Sequence, residues 1–167
     1  FVQQHAAELG LGATYAQQIE LRYEKPSPSG THFRWDQVVD GVKVYRSELV
    51  VKVSPKGQVS SVQNNLRPNV KIDVTPSLSK SAALTAAKNF VKPTGKALAD
   101  AVAELAIVDS RTGPRLAWIV DMPVEEPMGD WRVFVDAKSG AIFGSEDRMT
   151  YATGTGRVFD PDPRSKM

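Results

Sequence analysis

The 167 residues carry 21 Lys and Arg against 19 Asp and Glu, a formal charge of +2. So weak a charge, mixed along the chain, builds neither a phosphate-binding stripe nor a face for anionic lipid, so neither nucleic acid nor membrane is expected as a partner. There is no cysteine, which excludes disulfides, thiolate metal sites and thiol nucleophiles. No apolar run approaches the ~20 residues of a membrane-spanning helix. At 41% hydrophobic with three Trp, the composition is that of a globular chain able to bury roughly 70% of its unfolded surface. It begins at Phe1 without an initiator Met or signal segment. This predicts an excised piece of a longer precursor.

Residues 1–9 place Phe1, Val2, Ala6 and Leu9 on one helical face, with Gly10 and Gly12 as a stop. A strand is expected over 19–23, then a loop at Pro26-Ser27-Pro28-Ser29-Gly30. Residues 32–49 read as a hairpin around Asp40-Gly41, because both central positions of a type I′ turn take positive φ. Period two puts Phe33, Trp35 and Gln37 on one side, and His32, Arg34 and Asp36 on the other. A Gln on an apolar side predicts a buried hydrogen-bond role, tying the hairpin to the loop before it. Arg34 is placed to pair with a carboxylate, either of this chain or of a docked protein. Strands are expected over 48–53 and 58–66, joined by the turn Ser54-Pro55-Lys56-Gly57.

A boundary is expected within 67–77, where Pro68 and Pro76 flank a short Val70-x-Ile72-x-Val74 alternation. Ser77 or Ser79 can cap a helix whose stripe is Leu84, Ala87 and Val91, beside Ala83 and Phe90, and which Pro93 ends. Four strands follow, over 103–108, 115–122, 130–136 and 141–146. Trp118 and Trp131 alternate with other residues in these strands, as Trp35 does earlier. That spacing favours core or interface packing over a carbohydrate- or base-stacking platform. Helix followed by meander, twice, gives an α+β fold: two similar units over 1–70 and 71–148, each a helix packed on an antiparallel meander sheet, joined by a short linker. Residues 149–167, with Gly154, Gly156, Pro161 and Pro163, read as an extended exit.

Two stretches carry a family likeness. His32, Arg34, Gln37, Gly41 and Val44 fit His-x-Arg-x-x-Gln followed by Gly-x-x-Val, which resembles the fungalysin/thermolysin propeptide (FTP) motif. Leu116-Ala117-Trp118, then Val135-Asp136-Ala137-Lys138-Ser139-Gly140, resembles the PepSY module. In its hairpin Asp136 can bond back onto the turn and Gly140 takes the left-handed position. FTP followed by PepSY resembles the prodomain of secreted thermolysin-like and fungalysin-like zinc metallopeptidases. The resemblance implies a cystatin-like fold for each unit. It also implies a role as intramolecular chaperone and latency inhibitor of a linked peptidase, the cleft being covered by the PepSY half and its C-terminal extension. Zinc, and in some cases calcium, would belong to that peptidase and no cofactor to this chain. The candidate contacts are Arg34, Thr153, Gly154, Gly156, Arg157 and Phe159. The alternative is a free-standing extracytoplasmic module that regulates other peptidases.

The residues suggest no reaction of their own. The two histidines, His5 and His32, sit on different expected elements, and neither begins a His-Glu-x-x-His. No Gly-x-Ser-x-Gly elbow appears. Gly154-Thr155-Gly156 lacks the Lys and helix of a phosphate loop. Glu125 and Glu126, between Pro123 and Pro127, read as a solvated loop rather than an acid–base pair.

Overall fold

The computed structural model describes residues 1–12 and 15–150. After a short α1 (Tyr15–Gln18) come β1 (Ile19–Ser27), β2 (Gly30–Val39), β3 (Val42–Val53) and β4 (Val59–Asn64). The second part holds α2 (Lys80–Val91), β5 (Val102–Ser110), β6 (Gly113–Val124), β7 (Gly129–Asp136) and β8 (Ile142–Asp147). Asp40 (φ 47°) and Gly41 (φ 79°) close the β2–β3 hairpin, as the mirror-image turn requires. Residues 48–53 continue β3 rather than forming a strand of their own.

The eight strands form one sheet, ordered β1-β2-β3-β5-β6-β7-β8, with β4 on β3. The chain is α+β with a mostly antiparallel sheet, but not two similar helix-on-meander units. Two departures explain the difference. First, one edge of β3 is shared: its C-terminal part pairs antiparallel with β4, while Lys43 and Val44 pair in parallel with Ala106 and Ile107 of β5. This parallel pair makes the sheet continuous between the halves. Second, residues 1–10 form turns instead of a helix. Too short to hold a helix unaided, this segment ends at a 6→1 bond from Leu11 N–H to Ala6 C=O and a 5→2 bond from Gly10 N–H to Ala7 C=O.

One face of the sheet is covered end to end. Leu9, Leu11 and Leu66 pack on Leu49 and Val51. Val70, Ile72 and Val74 pack over the joint formed by Val44, Ile107, Leu116 and Ala137. The expected linker is therefore a strap lying on the core. Ala83 and Ala87 of α2 lie flat on Ala103, Val120, Val133 and Val135. Ser79 caps α2 by accepting from Ala82 N–H, and Lys92 takes the left-handed conformation at its other end. The opposite face carries its own apolar cluster of Ala106, Val108, Ala117, Ile119 and Phe134, with Tyr45 and Phe143 packed against it. All of these are strand residues. Among the described residues no helix or strap crosses that cluster.

Candidate functional site

The hairpin turn sets the register that shapes the centre of the molecule. On its turn side Val38 faces Lys43, but beyond it Asp36 faces Glu48. Gln37 alone therefore spans residues 44–47, a bulge of unusual width. Within it Arg46 is held at φ 56°, a left-handed conformation that costs a non-glycine residue about 1–3 kcal/mol. The 6% exposed Gln37 side chain fills the gap. Its Oε1 accepts from Arg67 N–H at 2.8 Å and from Ser47 Oγ at 2.5 Å, and its Nε2 donates to Arg67 C=O at 2.8 Å. The partner is thus the strap after β4, not the loop before the hairpin. Val44, the first residue of the bulge, is 4% exposed in the joint cluster.

His32 faces Lys52, and Arg34 faces Val50, both on the uncovered side of β2. The Arg34 guanidinium bonds Glu48 of this chain and lies 6.0 Å from the centre of the Tyr23 ring. The His5 ring bonds its neighbour Glu8, at 3.0 Å. Glu125 and Glu126 accept from Lys96 N–H and Thr94 Oγ1, which anchors their loop. Among the described residues no three His, Cys, Asp or Glu gather as a metal site.

The bulge turns Tyr45 and Arg46 onto the uncovered face, where they meet the second half. Tyr45 O–H donates to Glu146 Oε1 (2.9 Å) and accepts from Arg132 Nη1 (3.0 Å), while Arg46 Nη2 reaches both Glu146 oxygens at 3.1 Å. Arg132 grips Asp121 through Nε at 2.7 Å and Nη2 at 2.6 Å. Asp121 first, then the Tyr45 hydroxyl, outweigh burial and raise the Arg132 pKa, so its charge is permanent. Arg148 adds Asp121 and Asp130 to the chain of ion pairs. Beside this network lies an open cleft of about 540 Å³, with Tyr45, Phe134 and Phe143 among its walls. Sequence reading missed this cluster because Tyr45 and Glu146 are 101 positions apart. The one local signal was the break in alternation after Val44.

In the second half, Trp118 Nε1 donates to Leu78 C=O at 2.8 Å, pinning the strap to β6, and Trp131 Nε1 donates to Pro127 C=O at 3.2 Å. Asp136 Oδ1 accepts from Lys138 N–H, Ser139 N–H and Ser139 Oγ, and Gly140 sits at φ 77° in the same turn. Burial alone would raise the Asp136 pKa, but these bonds and Arg115 together lower it. Asp73, held by Lys138 and the Thr75 backbone, is lowered to about 2. An unfolded aspartate titrates near ~3.9. Below that pH the unfolded chain binds more protons than the folded one, so the contribution of these groups is whole above ~4 and is lost as pH falls through the folded values. Thermal melts should show the midpoint dropping between pH 5 and pH 2, with a shallower drop for Asp136→Asn. A midpoint independent of pH over that range would contradict the assignment. Thr153, Gly154, Gly156, Arg157 and Phe159 lie outside the described residues.

Residues 21–66 match the Fungalysin/Thermolysin Propeptide Motif, and the hairpin and its bulge fall inside the matched segment. Neutral protease B of Bacillus subtilis is 31% identical over 153 residues, which is 88% of this chain and 28% of that protein. Bacillolysin of Bacillus subtilis is 30% identical over 135 residues, 75% of this chain and 26% of that protein. The chain spans little more than a quarter of the length of the curated relatives it matches. Among solved structures, the C-terminal domain of Bacillus megaterium YpeB is similar with a TM-score of 0.48 and 17% identity, over 80% of this chain and 58% of that one.

Proposed function

We propose that the chain is a non-catalytic propeptide of a secreted zinc metallopeptidase, which assists the folding of that enzyme and keeps it latent by covering its cleft. The observation that carries this reading is the match of residues 21–66 to the propeptide motif. Likeness to neutral protease B and to bacillolysin over most of the chain supports it. On this reading residues 1–70 are the FTP part, residues 71–148 a PepSY part, and residues 149–167 the connection to the peptidase. The zinc, and any calcium, belong to the peptidase.

Such a part needs only moderate affinity. A tethered partner is present at an effective concentration of roughly 1 mM, so a dissociation constant near ~1 µM leaves about one molecule in a thousand open. Once the connection is cut and the pieces dilute, the same affinity no longer protects. Removing residues 150–167 from the purified chain should weaken its inhibition of its own peptidase in trans. Equal inhibition constants with and without those residues would remove the connection from the inhibitory surface. Downstream of Met167 the reading expects His-Glu-x-x-His within a few hundred residues. A stop codon or wall anchor there would replace it with a free-standing regulator.

A further inference from the structure

We infer that the uncovered face of the sheet, centred on Tyr45 and Arg46, is the surface that seats the peptidase, and that it takes an acidic segment carrying an apolar side chain. The inference rests on the propeptide reading and names the face and the chemistry it selects. Three observations converge on it.

The first is strain. Arg46 keeps a left-handed backbone inside a β-strand, and such conformations persist only where the surroundings over-determine them. Here the surroundings are the buried Gln37 bonds to Ser47 and Arg67. The propeptide motif residues thus act as positioning residues: Gln37 fills the bulge, Gly41 closes its turn, and Val44 anchors it to β5. What they position is Arg46, whose side chain is 68% exposed.

The second is charge. The 540 Å³ cleft is lined by Arg46, Arg67, Arg111 and Arg115 against Asp109 and Glu146. Arg46, Arg67 and Arg115 are each paired, with Glu146, Asp109 and Asp136, which leaves one guanidinium in excess: Arg111 at the β5–β6 turn pairs with no carboxylate among the described residues. A second cleft of about 270 Å³, across the Tyr45–Arg46 ridge, again has more cations than carboxylates. An occupant bearing a carboxylate would balance Arg111 and gain a bidentate bond to it. The third is the apolar wall. Phe143 and Tyr45, half-buried over the buried Phe134 with ring centroids 6.0 Å and 5.5 Å from it, offer an aromatic seat with no strap across it among the described residues.

The test is a titration of the full chain with the probe peptide acetyl-Asp-Leu-Glu-Phe-amide, followed by NMR on the aromatic side chains, beside inhibition of the chain's own peptidase. The expected result is weak, saturable binding that shifts the Tyr45, Phe134 and Phe143 resonances and weakens as salt rises. Arg111→Glu and Arg46→Gln, each with an unchanged melting midpoint, should each weaken peptide binding and peptidase inhibition about tenfold, while Lys56→Glu in the β3–β4 turn changes neither. Arg111 is exposed at a turn, so its variant tests the face even if altering Arg46 unfolds the bulge. Peptide shifts elsewhere on the chain, or inhibition unaffected by Arg111→Glu, would overturn the inference and leave the propeptide reading intact. Peptide binding at this face with no inhibition of the peptidase would overturn the propeptide reading instead.

Discussion

Gln37→Ala is expected to destabilise the chain by about 3 kcal/mol. Three hydrogen bonds end on this one buried side chain. Its truncation takes a partner from the buried Ser47 hydroxyl and from the part-buried Arg67 N–H and C=O, and each orphaned buried polar group costs ~1–3 kcal/mol. The bulge also loses the filler that holds Arg46 at positive φ. For a chain of this size that corresponds to a midpoint lower by roughly 6–12 °C. Gln37→Glu keeps the acceptor for Arg67 N–H but sets a carboxylate oxygen against Arg67 C=O, so it should not rescue. A loss below ~1 kcal/mol for Gln37→Ala would mean that the bulge is held by something else.

Val44→Asp is expected to be worse, costing about 4 kcal/mol or more. Val44 is 4% exposed and Ile107, its partner in β5, is 0% exposed. Both sit in a cluster with Leu116 and Ala137, beneath Val70, Ile72 and Val74. A carboxylate there is set against the apolar side chains of that cluster, and a buried charge without a partner ranks with the most damaging of single changes. Because the parallel β3·β5 pair is short and is what joins the halves, the effect should reach Trp118, which packs against the same cluster. Near-ultraviolet circular dichroism and Trp fluorescence should change together with the melting midpoint. Val44→Ala, which only removes methyl groups, should cost about 1–2 kcal/mol and leave the Trp118 signal in place. A stable Val44→Asp chain with a native Trp118 signature would show that the two halves fold without the joint.

These two positions also mark where reading the sequence succeeds and where it stops. The β2–β3 turn was legible because Asp40-Gly41 states its own backbone conformation. The Ser79 cap and the Pro93 end of α2 were legible for the same local reason. Gln37 on an apolar side announced a buried hydrogen bond, although its partner Arg67 lies 30 positions away and could not be named. The failures are non-local. Nothing in residues 42–44 says that a parallel partner waits at Ala106 and Ile107, so the halves read as separate units. The alternation Val70-x-Ile72-x-Val74 gave no hint that its apolar side would strap the joint. Residues 1–9 have helical spacing, but spacing sets only which face would be buried. Docking on β3 and β4 decided their conformation instead, with Asn64 Nδ2 donating to Leu9 C=O at 3.1 Å. The Tyr45, Arg132 and Glu146 cluster arises from the bulge and the continuous sheet together, so it became visible only once both were in place.

On the propeptide reading, the two faces of the sheet have different tasks. One face is committed to its own core and, among the described residues, carries the straps. The other holds permanently charged arginines around an aromatic seat, kept in shape by a strained bulge. The most direct measurement of the whole account is residual activity of the mature, separately purified peptidase as this chain is added in trans. Inhibition that saturates near one chain per enzyme at micromolar concentration is the expected result. Full activity at a hundredfold excess of folded chain would contradict it.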